Sequence, residues 1–182
     1  LIKGCVETLL DGAKDDPKVL HRFLGTINKH ADRLTFLIED LLTISQLESG
    51  RLALNLRATQ IRNVAARVVE DLQARAQLKS VTLENQVPAD LFAHADGERI
   101  EQVLFNLVDN AIKYGKTGGR TVIHGRPAAP GWIEVSVQDD GPGIPPDSRE
   151  RLFERFFRVD KARSRSQGGT GLGLAIVKHI VQ

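Results

Sequence analysis

The chain has 182 residues, of which 41% are hydrophobic and 26% are charged, a composition typical of a globular protein with one core and an accessory segment. Its net charge of +2, without a dense block of lysine and arginine, argues against nucleic-acid binding. The single cysteine, Cys5, excludes an intramolecular disulfide and a cysteine-rich metal site, and it fits a reducing cytoplasm. No apolar run approaches the roughly 18 residues of a membrane-spanning helix, and the first residues do not resemble a signal peptide.

Residues 17–48 have the hydrophobic spacing of one long helix. An apolar pattern in residues 1–13 predicts a preceding antiparallel helix, and Asp15-Asp16-Pro17 predicts the turn between the two. Since two helices form only half of a four-helix bundle, we expect a homodimer. The apolar positions of the long helix form three rows, which is wider than a two-stranded seam: Leu20, Ile27, Leu34 and Leu41; Phe23, His30, Leu37 and Ile44; Leu24, Ala31 and Ile38.

After Ser49-Gly50 the pattern changes to short strands and amphipathic helices, which predicts an α+β layer with helices on one face of a sheet. The predicted elements are a strand-like alternation at Leu52, Leu54 and Leu56, a helix at 60–77, strands at 81–85 and 91–95, a helix at 97–114, a hairpin of strands at 121–125 and 132–138, and a last helix from about Gly171.

The helix at 101–114 has one polar edge, formed by Asn106, Asn110, Lys113 and Tyr114. Amide oxygens spaced i, i+4 can coordinate a hard, partly hydrated cation such as Mg²⁺ that carries phosphates. Lys113 could reach a phosphate, and Tyr114 could offer its face or edge to a base. On these residues alone, a solvated helix face is an equal alternative.

Two glycine-rich turns follow. The glycines of Asp139-Asp-Gly-Pro-Gly-Ile-Pro145 allow close backbone approach to a ligand, and Asp139 could accept a hydrogen bond from an exocyclic amine such as that of adenine. A plain Pro-Gly turn is the alternative. Residues 168–174 run into a helix, whose free N–H groups could bind phosphate. Because they follow a charged loop and not a strand, they do not form a Rossmann fingerprint.

Between these turns lies Leu152-Phe-Glu-Arg-Phe-Phe-Arg158, whose aromatic residues could anchor a loop while Arg158 faces phosphate. The next stretch is basic, with Lys161, Arg163 and Arg165. A solvated loop is the alternative for each of these residues taken singly.

In this order and spacing the segments resemble the motifs of bacterial sensor histidine kinases of two-component systems. The resemblance implies a helical-hairpin dimerisation and phosphotransfer domain at 1–49, followed at 50–182 by an ATP-binding α/β sandwich of the gyrase and histidine-kinase (Bergerat) type. The matching segments are the N box (105–114), the first glycine box (139–145), the phenylalanine box (152–158), the second glycine box (169–174), the second dimerisation helix (33–50), and a stretch similar to phosphate-sensing kinases (4–12).

The resemblance implies transfer of the γ-phosphoryl group of Mg-ATP to a histidine and then to an aspartate of a response regulator. The implied catalytic residues are Asn110, Lys113 and Arg158. The implied roles are Mg²⁺ binding by Asn106 and Asn110, phosphate binding by Lys113 and Arg158, adenine binding by Asp139, a base pocket of Tyr114 and Ile144, backbone turns at Gly141 and Gly143, and a phosphate-cradling lid of Gly169, Gly171 and Gly173 with Thr170 and Leu172 beside them.

Two alternatives remain beside the kinase, namely a gyrase-like ATPase module and a non-enzymatic pseudokinase dimerisation module. Gyrase-like relatives carry a glutamate where this chain has Asn106. Because an amide cannot take a proton from water at neutral pH, attack by water should be slow. The box residues are chemically competent, which argues against a pseudokinase.

No histidine stands in the His-Glu-Leu-Arg-Thr-Pro-like context of the family's acceptor; the five are His21, His30, His94, His124 and His179. We therefore expect the acceptor shortly before Leu1 and two further strands after Gln182, so that these residues alone should not autophosphorylate. His30 is expected in the helical seam. The chain is expected to be the cytoplasmic portion of a protein anchored in a bacterial inner membrane through other segments.

Overall fold

A computed structural model describes residues 1–49, 53–159 and 169–182. It begins with a helical hairpin of α1 (Ile2–Leu10) and α2 (Pro17–Glu48), joined by a short 3₁₀ helix, Ala13–Asp15. The carboxylate of Asp16 accepts hydrogen bonds from the backbone N–H groups of Lys18 (2.9 Å) and Val19 (3.3 Å), and therefore caps α2. The predicted turn and long helix are confirmed. None of the helices in the described ranges is long and apolar enough to span a membrane.

The apolar rows of α2 differ in their exposure to solvent in the single chain. The row of Phe23, His30, Leu37 and Ile44 is half-buried or buried, and α1 packs on α2 through Cys5 and Leu9. His30 also lines a groove of about 380 Å³ with α1, which agrees with its predicted place in the seam. In the other two rows Leu20 and Ile27 are half-buried, but four leucine and isoleucine side chains are exposed, with 51% of Leu24, 51% of Leu34, 57% of Ile38 and 46% of Leu41 open to solvent.

The second half of the chain contains two small sheets. In the first, β1 (Arg57–Gln60) and β3 (Phe92–Ala95) pair antiparallel. In the second, the strand order is β2-β4-β5, where β2 (Thr82–Gln86) runs parallel to β4 (Arg120–Pro127) and β4 runs antiparallel to β5 (Ile133–Asp139). The β4–β5 hairpin agrees with the prediction. One continuous sheet had been expected, and the structure divides it in two.

The predicted strand at Leu52, Leu54 and Leu56 is wrong for the described residues 53–56, which form no strand; residue 52 lies outside the described part. Pairing of β1 with β3 starts only at Arg57, opposite Ala95. The backbone N–H of Asn55 instead donates to the Asp96 carboxylate (3.0 Å). Alternating leucines form a strand only where a partner strand is available, and within the part of the chain that the structure describes no strand pairs with residues 53–56.

The main core lies between the three-stranded sheet and helices α3 (Ile61–Leu78) and α4 (Gly97–Tyr114). Apolar residues of α3 recur at helical spacing and face this core, so the two helices cover one face of the sheet as predicted. Each fully buried aliphatic side chain stabilises the fold by roughly 1.5–3 kcal/mol. The fully buried members include Ile61, Val64, Val68, Leu72, Leu104, Val108 and Ile123.

A second, smaller core joins the two halves of the chain. After the short helix α5 (Pro146–Arg149), the last helix α6 (Gly173–Val181) contacts both α2 and α4. Leu172 and Ile176 are fully buried against Ile44 of α2, with Leu37 and Ile180 around them. The segment 169–173 therefore lies between the long helix and α4.

Candidate functional site

Helix α4 provides the polar edge of the site, and Asp96 determines where this helix begins. Its Oδ1 accepts hydrogen bonds from the N–H groups of Glu98 (3.0 Å) and Arg99 (3.3 Å), as an N-cap does. The hydrogen bond from Asn55, together with these two, holds the pKa of the Asp96 carboxyl below its ordinary value. From this start the helical period places Asn106, Asn110 and Lys113 on one face, turned away from the main core.

Asn106 is held by its own helix and faces the start of α6. Its Nδ2 donates to the carbonyl of Gln102 (3.0 Å), which points Oδ1 the other way. A Cβ on Gly173 would lie 2.6 Å from that oxygen. The amide oxygen of Asn106 and the first residue of α6 therefore meet across a gap that only glycine leaves open.

The first glycine turn lies against the C-terminal end of α4. Asp139 Oδ1 accepts the N–H of Gly141 (2.8 Å) and closes the turn. A Cβ on Gly141 would lie 3.3 Å from the Cα of Gly115 and 3.5 Å from the carbonyl of Tyr114. Within the described ranges, no group donates to Asp139 Oδ2, which is thus available to a ligand's amine. Gly143 has φ +74°, and Ile144, the next residue, is 42% exposed.

The phenylalanine segment and the second glycine segment are locked together by their backbones. The N–H of Phe156 donates to the carbonyl of Gly171 (2.8 Å). Both residues have positive φ, +60° for Phe156 and +76° for Gly171, and this is a strained conformation for a bulky residue. Arg158 donates from its guanidinium to the carbonyl of Gly169. Arg158, expected to face phosphate, here holds the loop that was expected to cradle phosphate.

Thr170 connects this loop with the long helix. Its hydroxyl donates to Asp40 Oδ2 (3.0 Å) and accepts the N–H of Leu172 (3.2 Å). Burial of Asp40 raises the pKa of its carboxyl, and the hydrogen bond from Thr170 opposes that rise. The side chain of Leu172 is fully buried against α2.

Lys113 forms an ion pair with Asp109 one turn before it, and Asp109 Oδ1 also accepts a hydrogen bond from Arg75 of α3 (3.0 Å). Neither Asp109 nor Arg75 had been expected at the site. The i, i+4 spacing of Asp109 and Lys113 was a usable signal for one of them. The pairing of Asp109 with Arg75 could not be predicted from the sequence, because 34 residues separate the two.

The structure therefore brings the predicted residues to three places along α4. Asn106, Gly173 and the loop 169–172 meet at its middle; Tyr114, Gly141 and the Asp139 turn meet at its C-terminal end; Lys113 lies between them on the Asn face. Gly168 and the basic residues Lys161, Arg163 and Arg165 lie outside the described residues.

The described residues contain no group of three or more His, Cys, Asp or Glu side chains that could hold a metal ion. Amide oxygens of Asn106 and Asn110 together with ligand oxygens would form a donor set that suits Mg²⁺. The Oδ1 of Asn106, which faces the start of α6, is one such amide oxygen.

Two family models match this chain in succession. Residues 1–50 match the His Kinase A (phospho-acceptor) domain, and residues 95–182 match the family described as histidine kinase-, DNA gyrase B-, and HSP90-like ATPase. Together they cover both the hairpin and the candidate site.

Curated relatives match nearly all of the chain. It is 34% identical to the sensor histidine kinase WalK of Bacillus subtilis, covering 100% of this chain and 30% of WalK. It is 38% identical to the sensor-like histidine kinase SenX3 of Mycolicibacterium smegmatis, covering 96% of this chain and 45% of SenX3. The chain thus spans less than half the length of these relatives.

Solved structures agree in fold. The histidine kinase AdeS of Acinetobacter baumannii matches 99% of this chain and 81% of its own, with TM-score 0.78 and 29% identity. Full-length ShkA in complex with AMPPNP covers 88% of this chain and 33% of its own, with TM-score 0.74 and 30% identity. The histidine kinase ThkA in complex with the response regulator TrrA covers 86% and 46%, with TM-score 0.69 and 25% identity.

The helical hairpin, the Asn-bearing helix followed by two glycine turns, and these matches over both halves lead to one conclusion: the chain belongs to the sensor histidine kinases of bacterial two-component systems.

Proposed function

We propose that this chain is the core of a sensor kinase that moves the γ-phosphoryl group of ATP to a histidine and then to an aspartate of a response regulator. The observation that carries the proposal is the arrangement along α4, where Asn106 faces the N-terminus of α6 and the Asp139 turn meets the other end. Tyr114 is eight positions after Asn106 on this helix, a rise of about 12 Å, which is enough to separate a base site from a phosphate site.

Contacts of the protein with the base and with the phosphates orient the nucleotide. Asp139 Oδ2 accepts from the adenine amine while Tyr114 and Ile144 line the base. The glycine segment 169–173 and the free N–H groups at the start of α6 receive the phosphates. Lys113 and Arg158 neutralise charge that builds up on the transferred group, and positioning of this kind is the main source of catalysis in phosphoryl transfer.

Magnesium is part of the proposal. Asn106 and Asn110 are one turn apart on the Asn face and supply amide oxygens to Mg²⁺, which when bound shields the phosphate oxygens and withdraws charge from them. Asn106 cannot act as a general base, so water near the γ-phosphate is not activated by it. The phosphoryl group is therefore retained for a side-chain acceptor.

The acceptor is proposed to be a histidine preceding Leu1, because none of the five histidines in the sequence stands in the family's motif. Dimerisation is proposed through the exposed rows of α2, where Leu34, Ile38 and Leu41 recur at i, i+4 and i+7. We place the domain boundary at residues 49 and 50, and the chain in the cytoplasmic portion of a membrane-anchored protein. The resemblance of residues 4–12 of this chain to phosphate-sensing kinases stays a prediction.

Comparisons support the kinase over its alternatives. The phospho-acceptor match at residues 1–50 has no role in a gyrase-like ATPase. ShkA was solved with an ATP analogue and ThkA with a response regulator, which supports the same nucleotide and the same class of partner for this chain. A pseudokinase is less consistent with the inward-facing amide of Asn106 and the available oxygen of Asp139.

Incubation of the full-length protein with ATP labelled at the γ-phosphate tests the proposal. An acid-labile, base-stable label on the protein, transferable to a receiver domain, is expected. Release of free phosphate alone would favour the ATPase, and nucleotide binding without any label would favour the pseudokinase. Absence of both binding and label would overturn all nucleotide-dependent functions.

A further inference from the structure

Two cations share one buried carboxylate beside the candidate phosphate site. Asp109 is 8% exposed, yet its Oδ1 pairs with Nη1 of Arg75 at 3.0 Å and its Oδ2 pairs with Nζ of Lys113. The two positive groups and the one negative group leave a net charge of +1 on this cluster.

Arg75 approaches Asp109 from a different helix than Lys113 does. It projects from α3, and its guanidinium carbon lies 5.8 Å from the centre of the Phe105 ring, which orients it toward Asp109. Lys113 belongs to α4 and lies on the Asn face beside Asn106 and Asn110. Arg75 is therefore on the far side of Asp109 from the proposed phosphate position.

A buried carboxylate that loses its only cation is strongly destabilised. If Asp109 had Lys113 alone, transfer of the ammonium group to a nucleotide phosphate would leave Asp109 unpaired in a nearly dry position. With Arg75 in place, Asp109 keeps a partner when Lys113 moves, so the transfer costs much less.

We propose that Arg75 is a positioning residue for phosphate binding. Because Arg75 keeps its ion pair with Asp109, Lys113 can leave Asp109 and bind the phosphates of the nucleotide. This inference rests on the proposed function, because it requires that Lys113 meets phosphate. Arg75 and Asp109 do not themselves touch the nucleotide. Their pair also ties α3 to α4, so the test must separate release of Lys113 from a simple structural tether.

The test uses the full-length protein and four forms of it: wild type, Arg75→Gln, Arg75→Lys, and the double variant Arg75→Gln/Asp109→Asn. Affinities are measured for AMPPNP with Mg²⁺ and for adenosine, which has no phosphates, after circular dichroism has confirmed that each variant is folded. Arg75→Gln should bind AMPPNP roughly tenfold more weakly, since Asp109 then retains Lys113, with adenosine affinity unchanged. Arg75→Lys keeps a cation at this position and should stay within about threefold of wild type.

The double variant separates the two explanations. Removal of the Asp109 charge frees Lys113 without any help from Arg75, so AMPPNP affinity should return to within about threefold of wild type. If the Arg75–Asp109 pair acted only as a tether between α3 and α4, it would be lost in both variants. A double variant that binds AMPPNP as weakly as Arg75→Gln would therefore overturn the inference. An Arg75→Gln variant with unchanged AMPPNP affinity would overturn it as well. Wild-type protein that fails to prefer AMPPNP over adenosine would instead overturn the proposed phosphate site itself.

Discussion

The hydroxyl of Thr170 donates a 3.0 Å hydrogen bond to Asp40 Oδ2, and 130 residues separate the two. This contact, together with the packing of Leu172 and Ile176 on Ile44, joins the second glycine segment directly to the long helix of the hairpin. The loop expected to cradle phosphate is thus held from the N-terminal half of the chain.

Replacement Thr170→Val removes this donor while keeping the shape of the side chain. Because the carboxylate of Asp40 is half-buried, loss of its partner should lower the free energy of unfolding by about 1 kcal/mol, measured by urea denaturation. Thr170→Ser retains the hydroxyl and should stay close to wild type. Equal losses for Val and Ser would mean that packing, not the hydrogen bond, carries the effect.

Gly173→Ala should weaken binding of AMPPNP with Mg²⁺ by about tenfold, because the new Cβ would lie 2.6 Å from Asn106 Oδ1 and must displace it. Calorimetric titration measures this effect. Gly25→Ala, within α2, meets nothing within 4 Å and should leave affinity unchanged while stabilising the helix by roughly 0.5–1 kcal/mol. Wild-type affinity in Gly173→Ala would show that Asn106 is not needed where the structure places it.

Asn110→Ala in the full-length protein should abolish the Mg²⁺-dependent part of nucleotide binding, since one of the two proposed amide oxygens is lost. Calorimetry with Mg²⁺ and with a chelator separates that part from the rest. Asn63→Ala on α3, where the amide contacts only Gln60 among the described residues, is the matched control. An unchanged response to Mg²⁺ in Asn110→Ala would refute the metal assignment.

Ile38→Asp should dissociate the proposed homodimer, because Ile38 is 57% exposed in the single chain and a carboxylate cannot be buried unpaired in a dimer seam. Sedimentation velocity measures the change in mass. Leu78→Asp, at the end of α3 and 88% exposed, should leave the mass unchanged. A dimer that survives Ile38→Asp would place the interface on another face.

The pH dependence of stability should differ in sign between Asp96 and Asp40. Hydrogen bonds from Asn55, Arg99 and Glu98 lower the pKa of Asp96 from 3.8, so its stabilising contribution is present above that value and lost as pH falls through the lowered pKa.

Asp96→Asn keeps a capping side chain without the charge, so the excess stability of wild type over this variant should be constant at neutral pH and should shrink as pH falls below 3.8 and through the lowered pKa of Asp96. Burial raises the pKa of Asp40, so the stability of wild type relative to Asp40→Asn should increase as pH falls through the raised pKa. Urea denaturation at a series of pH values measures both, and parallel behaviour of the two variants would contradict the assignments.

Local patterns predicted the elements well where one face of a helix is apolar over several turns. The rows of α2 and the helical period of α4 are examples, because the apolar side chains that a helix buries on one face are three or four residues apart in the sequence. The strand expected at residues 52–56 failed for the opposite reason. A strand needs a partner, and the partner β3 pairs only from Arg57 onward.

The sequence alone singled out Asn106, Asn110, Asp139 and Gly171 as candidate site residues, and Asp16-Pro17 as a turn, because each stands in a short local motif. Their meeting along α4 was decided by tertiary structure, as were the three contacts that control them: Arg75 with Asp109, Thr170 with Asp40, and Gly173 with Asn106. Residues 34, 130 and 67 positions apart carry no local signal of their pairing, and packing of α3, α2 and α6 around α4 is what brings them within reach.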